Sequence, residues 1–138
     1  MRVTRLRQSR GETGSIAAFT VLMTASLMAL LGLVAEGGQV LAARESAIAE
    51  AEQAARTGAA RLSANTLHSG GILDAGPGPV QAAEYVMAAD GHRGTASVAG
   101  DVVFATVSPF EVSTPLLGLA GIPSITVTAR ASAQAVAG

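Results

Sequence analysis

The spacing of apolar residues divides this chain into three parts: an unbroken run, a sparse stripe at helical spacing, and a strict alternation. From Ser15 to Ala35 no charged residue occurs, the run reading SIAAFTVLMTASLMALLGLVA. At about 1.5 Å rise per residue it is long enough to cross a hydrocarbon core of about 30 Å. A soluble core helix is rarely apolar on all sides over such a length. The polar members Ser15, Thr20, Thr24 and Ser26 are small, and their hydroxyls can bond back to the helix backbone. Gly32 and the alanines offer faces that another helix could approach closely.

Helical character continues beyond Ala35, with Gly37-Gly38 expected to loosen the junction. From Gln39 to about Ala64 the chain is rich in Ala, Glu, Arg, Gln and Leu, all good helix formers. Leu41, Ile48, Ala55 and Leu62 recur every seven residues, and Ala51 and Gly58 widen this seam. Arg44, Glu45, Glu50, Glu52 and Arg56 are read as the opposite, solvated face, with Glu52 and Arg56 spaced i, i+4 to pair. Ser69-Gly70-Gly71 predicts an end near His68, and the Gly- and Pro-rich stretch from Gly70 to Pro79 a loop. A short helix is predicted from Val80 to Ala89, its buried face unassigned, with Asp90-Gly91 ending it.

From Thr95 the period becomes two. Ala96 to Val98 reads as a strand, Gly100-Asp101 as a turn, and Val102 to Val107 as the hairpin partner, ended by Pro109. Phe110 to Pro123 is expected to be a connection in which Leu116, Leu117 and Leu119 form an apolar turn. In the last strand Ile125, Val127, Ala129, Ala131, Ala133 and Ala135 alternate with Thr126, Thr128, Arg130, Ser132 and Gln134. One small apolar face and one polar face suit an antiparallel sheet lying on a helix. The predicted fold class is therefore α+β, a long transmembrane-plus-exported helix packed on a small antiparallel sheet, an architecture of the type IV pilin-like kind.

Charge adds an orientation. Arg2, Arg5, Arg7 and Arg10 precede the apolar run against the single acid Glu12, while residues 36–138 carry five arginines and nine acids. By the positive-inside rule the N-terminus is cytoplasmic and the rest is exported. This gives a cytoplasmic stub over 1–14, a membrane helix over 15–35, an exported helix over 36–68 and a small exported α+β region over 69–138. A cleaved secretory signal is the rival, but its apolar region is usually shorter, about 7–15 residues. Leu33-Val34-Ala35 has Leu where a small residue is wanted. The mildly acidic tail lacks the clustered cations that bind phosphate, which excludes nucleic acid as a partner.

Chemistry is sparse. The chain has no Cys and two His, so no disulfide forms and a metal site lacks ligands. His68 falls at a helix end and His92 in a turn, where a capping or solvated role is expected. No nucleophile elbow, phosphate loop or dinucleotide fingerprint is present. Glu50 and Glu52 point to different sides of a helix and make a poor acid/base pair. No cofactor, metal or small-molecule substrate is expected, and the protein is read as a non-enzyme. Glu36 at the membrane boundary has two readings: an acid solvated at the interface, or a contact with an Arg or amine on a neighbouring subunit.

The stretch from Gly14 to Leu62 resembles the N-terminal region of TadE/TadG-like proteins of the tight-adherence (Flp) pilus assembly system. The elements of the resemblance are Gly14 opening the apolar helix, Glu36-Gly37 just past it, Arg44 in an Ala-rich helix, Val102-Val103 in a late hairpin, and VTARASA over 127–133. The resemblance implies an accessory or structural role in pilus assembly or related secretion. It also implies partners among pilin-like subunits within a membrane, and makes Gly14 the candidate processing site. Glu36, Leu41, Ile48, Ala55 and Leu62 become candidate subunit contacts. In one respect the chain departs from the pattern. Peptidase-cut members carry Glu five residues after the cleavage Gly, whereas here that position is Phe19 counted from Gly14, or Ile16 counted from Gly11. The departure points to the unprocessed, TadG-like branch. The alternative to a pilus role is a membrane-anchored exported binding or sensor module.

Overall fold

The computed structural model describes residues 10–70 and 76–136. Arg2, Arg5 and Arg7, the side chain of Arg10 and the middle of the loop expected over 70–79 lie outside the described residues. A single helix, α1 (Arg10–His68), runs for 59 residues, about 90 Å at helical rise. It passes through Gly37-Gly38 without a break. The two glycines weaken the helix locally, but good helix formers on both sides carry it through. Beyond it come α2 (Pro77–Ala89), β1 (Gly94–Ala99), β2 (Val102–Ser113), the single turn α3 (Pro115–Gly118) and β3 (Ser124–Gln134). The strands form an antiparallel sheet in the order β1-β2-β3.

Apart from its last turns, which the β2–β3 connection reaches, the apolar run touches little of the rest of the chain. Phe19, Leu22, Met28, Leu31 and Val34 are all largely exposed. Its hydroxyls are turned inward on the helix: Thr20 donates to the Ile16 carbonyl at 2.9 Å, Thr24 to Thr20 at 2.8 Å and Ser26 to Leu22 at 2.8 Å. These three hydroxyls are satisfied within the helix and need no water.

Past Glu36 the helix gains a packing face. Glu36, Val40, Ala43, Ala47, Ala51, Ala54, Gly58 and Leu62 are buried or half-buried, at steps of three and four. This is a straight-helix period rather than the predicted heptad. A seven-residue repeat drifts by about 20° per heptad on a straight helix. Over the three repeats between Leu41 and Leu62 that drift carries the seam off the face. Ala55 and Leu62 are fully buried, whereas Leu41 is 58% and Ile48 39% exposed. Two of the four predicted seam residues therefore lie outside the core.

The core is thin and built of small side chains. Ala47, Ala51, Ala54 and Ala55 of α1 meet Ala83 and Met87 of α2, with Ala105, Val107, Val127 and Ala129 of the sheet beneath them. Ala59, Leu62 and Val103 extend it. Such contacts require close backbone approach, and Gly58 is one place where it occurs. A Cβ there would stand 2.8 Å from Val103 Cγ1 and 3.0 Å from the Pro79 carbonyl oxygen. Along β3 the expected alternation appears, with 127 and 129 buried, 125, 131, 133 and 135 half-buried and 126, 128, 130, 132 and 134 exposed.

Two boundaries differ from expectation for reasons of backbone hydrogen bonding. α2 starts at Pro77, three residues early, because the first-turn amides of a helix have no intrahelical acceptor and Pro77 and Pro79 forfeit nothing there. β2 continues to Ser113 instead of ending at Pro109. A bulge between Val107 and Phe110 takes the proline out of the ladder. Because the bulge adds one residue, Phe110 and Val112 return to the inner face that Val103, Ala105 and Val107 occupy. They pair there with Val127 and Ile125. The first four residues of the predicted 110–123 connection are therefore strand, and the true connection spans Thr114 to Pro123. The free edge of β1 is covered from α2, where Glu84 accepts the Ala96 amide at 3.3 Å.

Candidate functional site at the end of the apolar run

Glu36 is the first residue past the apolar run, and α1 turns it onto the packing face, where it is 5% exposed. Its carboxylate meets the start of α3. Oε1 accepts the Leu116 amide, and Oε2 accepts the Leu117 amide at 2.9 Å. These are orphan donors of a helical first turn, ordinarily taken by the side chain of the preceding residue. Here that residue, Thr114, bonds elsewhere: its hydroxyl donates to the Ile122 carbonyl at 2.8 Å, and its amide to Pro123 at 2.9 Å. Those two bonds close the base of the loop, and Glu36 caps it from 80 positions away. Both oxygens of Glu36 are thus occupied within the chain.

One turn before Glu36, Gly32 completes the seat. A Cβ on Gly32 would overlap Leu116 Cδ1, at 2.0 Å, so the leucine lies directly against bare helix backbone. Around it an open apolar hollow of about 530 Å³ is lined by Ser26, Ala29, Leu30 and Leu33 of α1 and by Leu116, Leu117, Leu119 and Ala120. The connection between β2 and β3 therefore reaches back along the apolar run.

A second polar node lies deeper. The sequence pattern puts Glu50 on the solvated face, but the helix places it among the buried positions, with 10% of its side chain exposed. His92 Nδ1 lies 2.8 Å from Oε2 and 3.1 Å from Oε1. With the carboxylate as acceptor, Nδ1 is the donor. Ser46 adds a longer contact at 3.4 Å, and Phe110 lies against the imidazole with ring centroids 4.3 Å apart. His92 is a half-buried tie between α1 and the turn entering β1, rather than the solvated loop residue expected. No local signal in the sequence joins positions 50 and 92. Glu52 and Arg56 do pair, at 3.6 Å, on the exposed face. His68 bonds the Ala64 carbonyl at 2.7 Å, a local helix-end contact.

Of the candidate contact residues, Ala55 and Leu62 are consumed by the core, Glu36 is engaged with α3, and Leu41 and Ile48 face outward. Gly14 lies within α1 with open space around it. Between α1 and α2 a shallow groove of about 480 Å³ is lined by Thr57, Arg61, Asn65, Gln81, Tyr85 and neighbours. Among the described residues no group of three or more His, Asp or Glu is placed to hold a metal ion.

Fold and site together define an α+β protein built on one helix long and apolar enough to span a membrane. Comparison of the chain with protein-family models, with curated proteins and with solved structures finds no match.

Proposed function

We propose that the protein is a non-enzymatic, single-pass membrane component of Flp/Tad-type pilus assembly or a related secretion machine. The stub over 1–14 is cytoplasmic, and the region from residue 36 onward is extracytoplasmic. The observation that carries this reading is the division of α1. Its first half is apolar and touches little of its own chain, while its second half buries an Ala-rich face on a sheet. That division is what a pilin-like subunit requires, with one part for lipid or neighbouring helices and one for a folded head. The arginines before the run supply the orientation, and the order of motifs from Gly14 to the VTARASA strand supplies the pilus assignment. Leu41 and Ile48, left outside the core, supply a surface for a partner helix.

Topology and role are tested separately. The chain has no Cys, so single cysteines give a clean readout with a membrane-impermeant maleimide on spheroplasts. Gln8→Cys stays unlabelled and Ser132→Cys is labelled; the opposite pattern rejects the orientation. Deleting the gene is expected to reduce surface pili and adherence, and normal piliation rejects the pilus assignment. The polar groove at Arg61, Asn65 and Gln81 favours a second reading, an anchored exported binding or sensor module. Under that reading the deletion leaves pili intact.

A further inference from the structure

The geometry points to a second membrane contact: the loop between β2 and β3, Pro115 to Ile122, enters the outer leaflet beside α1 and rests at the boundary of headgroups and acyl chains. This inference relies on the membrane reading of residues 15–35, and three independent observations lead from it to lipid as the occupant.

Depth is the first. Leu116 is seated on Gly32, three residues inside the end of the apolar run, and the hollow beneath it extends to Ala29 and Ser26. At helical rise Gly32 and Ala29 lie about 4.5 Å and 9 Å below Ala35, no deeper than the roughly 5–10 Å that interfacial elements reach. A loop packed there cannot stay in water while the helix beside it is in lipid.

Composition is the second. No charged residue occurs from Val112 to Ala129. The apolar side chains at the tip keep much of their surface outside the protein, with Leu119 87% and Ile122 49% exposed and even the seated Leu116 45% exposed.

The third is hydrogen bonding. Glu36 takes the amides of Leu116 and Leu117. Gly118 donates to Thr114, Leu119 to Leu116, Ala120 to Leu117, Gly121 to Gly118 and Ile122 to Leu117, at 2.8–3.2 Å. Pro115 and Pro123 have no amide hydrogen. Every amide of the loop is therefore satisfied internally, a condition that water does not impose and lipid does. The one carboxylate at this depth, Glu36, is spent on two of those bonds.

The chain contains no Trp, so a single introduced Trp reports its own depth. Full-length Leu119→Trp and, separately, Ile122→Trp are reconstituted in phosphatidylethanolamine/phosphatidylglycerol vesicles. Some of the phospholipid is brominated near the headgroup end of its acyl chains. Leu22→Trp in the apolar run and Ser97→Trp on the sheet serve as references. The expected result is blue-shifted emission from both loop variants, with quenching about two-fold or more above that of Ser97→Trp. Leu119 is almost free of protein contacts, so its replacement leaves the fold intact. Unquenched, red-shifted loop emission with Leu22→Trp quenched overturns the inference while leaving the membrane reading in place. Blue-shifted but unquenched emission overturns it in favour of a protein segment in the hollow. An unquenched Leu22→Trp rejects the membrane reading itself.

Discussion

Glu36, Glu50 and Gly58 carry more of this small fold than their size suggests, because alanine-rich packing leaves little redundancy. Glu36→Ala removes the acceptor for two part-buried amides at once, and an unmet donor shielded from water costs up to about 1–3 kcal/mol. The expected outcome is local. Hydrogen exchange at Leu116 and Leu117 accelerates, while the β2–β3 ladder stays protected. Exchange mass spectrometry in nanodiscs reads both, and unchanged protection at 116 and 117 rejects the capping role. Glu50 and His92 act as a unit, so Glu50→Ala and His92→Ala are expected to be non-additive by about 0.5–3 kcal/mol in a double-mutant cycle of thermal unfolding. Additive effects would show that their contact contributes nothing of its own. At Gly58 the limit is space. Gly58→Ala drives a methyl toward Val103 and the Pro79 carbonyl and is expected to destabilise the helix–sheet contact by about 1–3 kcal/mol, seen as a lowered melting midpoint.

At the scale of elements, α1 does two jobs with one continuous backbone, and Gly37-Gly38 marks where they meet. A Cβ at either glycine has nothing within 4 Å. Ala at each position therefore strengthens the helix by about 0.8–1.0 kcal/mol without a clash. Slower hydrogen exchange across the junction is expected in Gly37→Ala/Gly38→Ala, with the sheet unaffected. Unchanged exchange would mean that packing by Glu36 and Val40 already holds the junction. In β2 the bulge at Ser108-Pro109 reconciles a proline with a long strand. The Ser108 amide finds the Arg93 carbonyl at 2.7 Å, and the Thr128 hydroxyl the Val107 carbonyl at 2.9 Å. These bonds hold the distorted segment while the inner face keeps its apolar residues.

For the whole molecule, the apolar surface left over is as informative as the core. The run from residue 15 to residue 35, the tip of the β2–β3 loop, and Leu41 with Ile48 are exposed in the isolated chain. On the proposed function the first two face lipid and the last pair a partner helix. Leu41→Gln/Ile48→Gln is accordingly expected to leave the melting midpoint of the purified protein unchanged while weakening its cross-linking to neighbouring subunits in membranes. A large fall in the midpoint would place both residues in the core instead.

Regularities along the chain were legible without any structure. A charge-free run, a helix-forming composition that stops at His68, and a period of two from Ile125 onward are properties of neighbouring residues, and local sterics with burial on one face translate them directly into elements. The sequence by itself also determined which face of β3 turns inward. What it could not determine are the meetings of residues far apart: Glu36 with Leu116, Glu50 with His92, and the bulge that returns Phe110 to the inner face. Only tertiary packing decided these, because each depends on how the chain folds back and on the rotation of α1 against the sheet. That rotation also separates Ala55 and Leu62 from Leu41 and Ile48. A heptad counted on paper assumes a supercoiled partner, whereas a straight helix on a twisted sheet follows its own 3.6-residue turn.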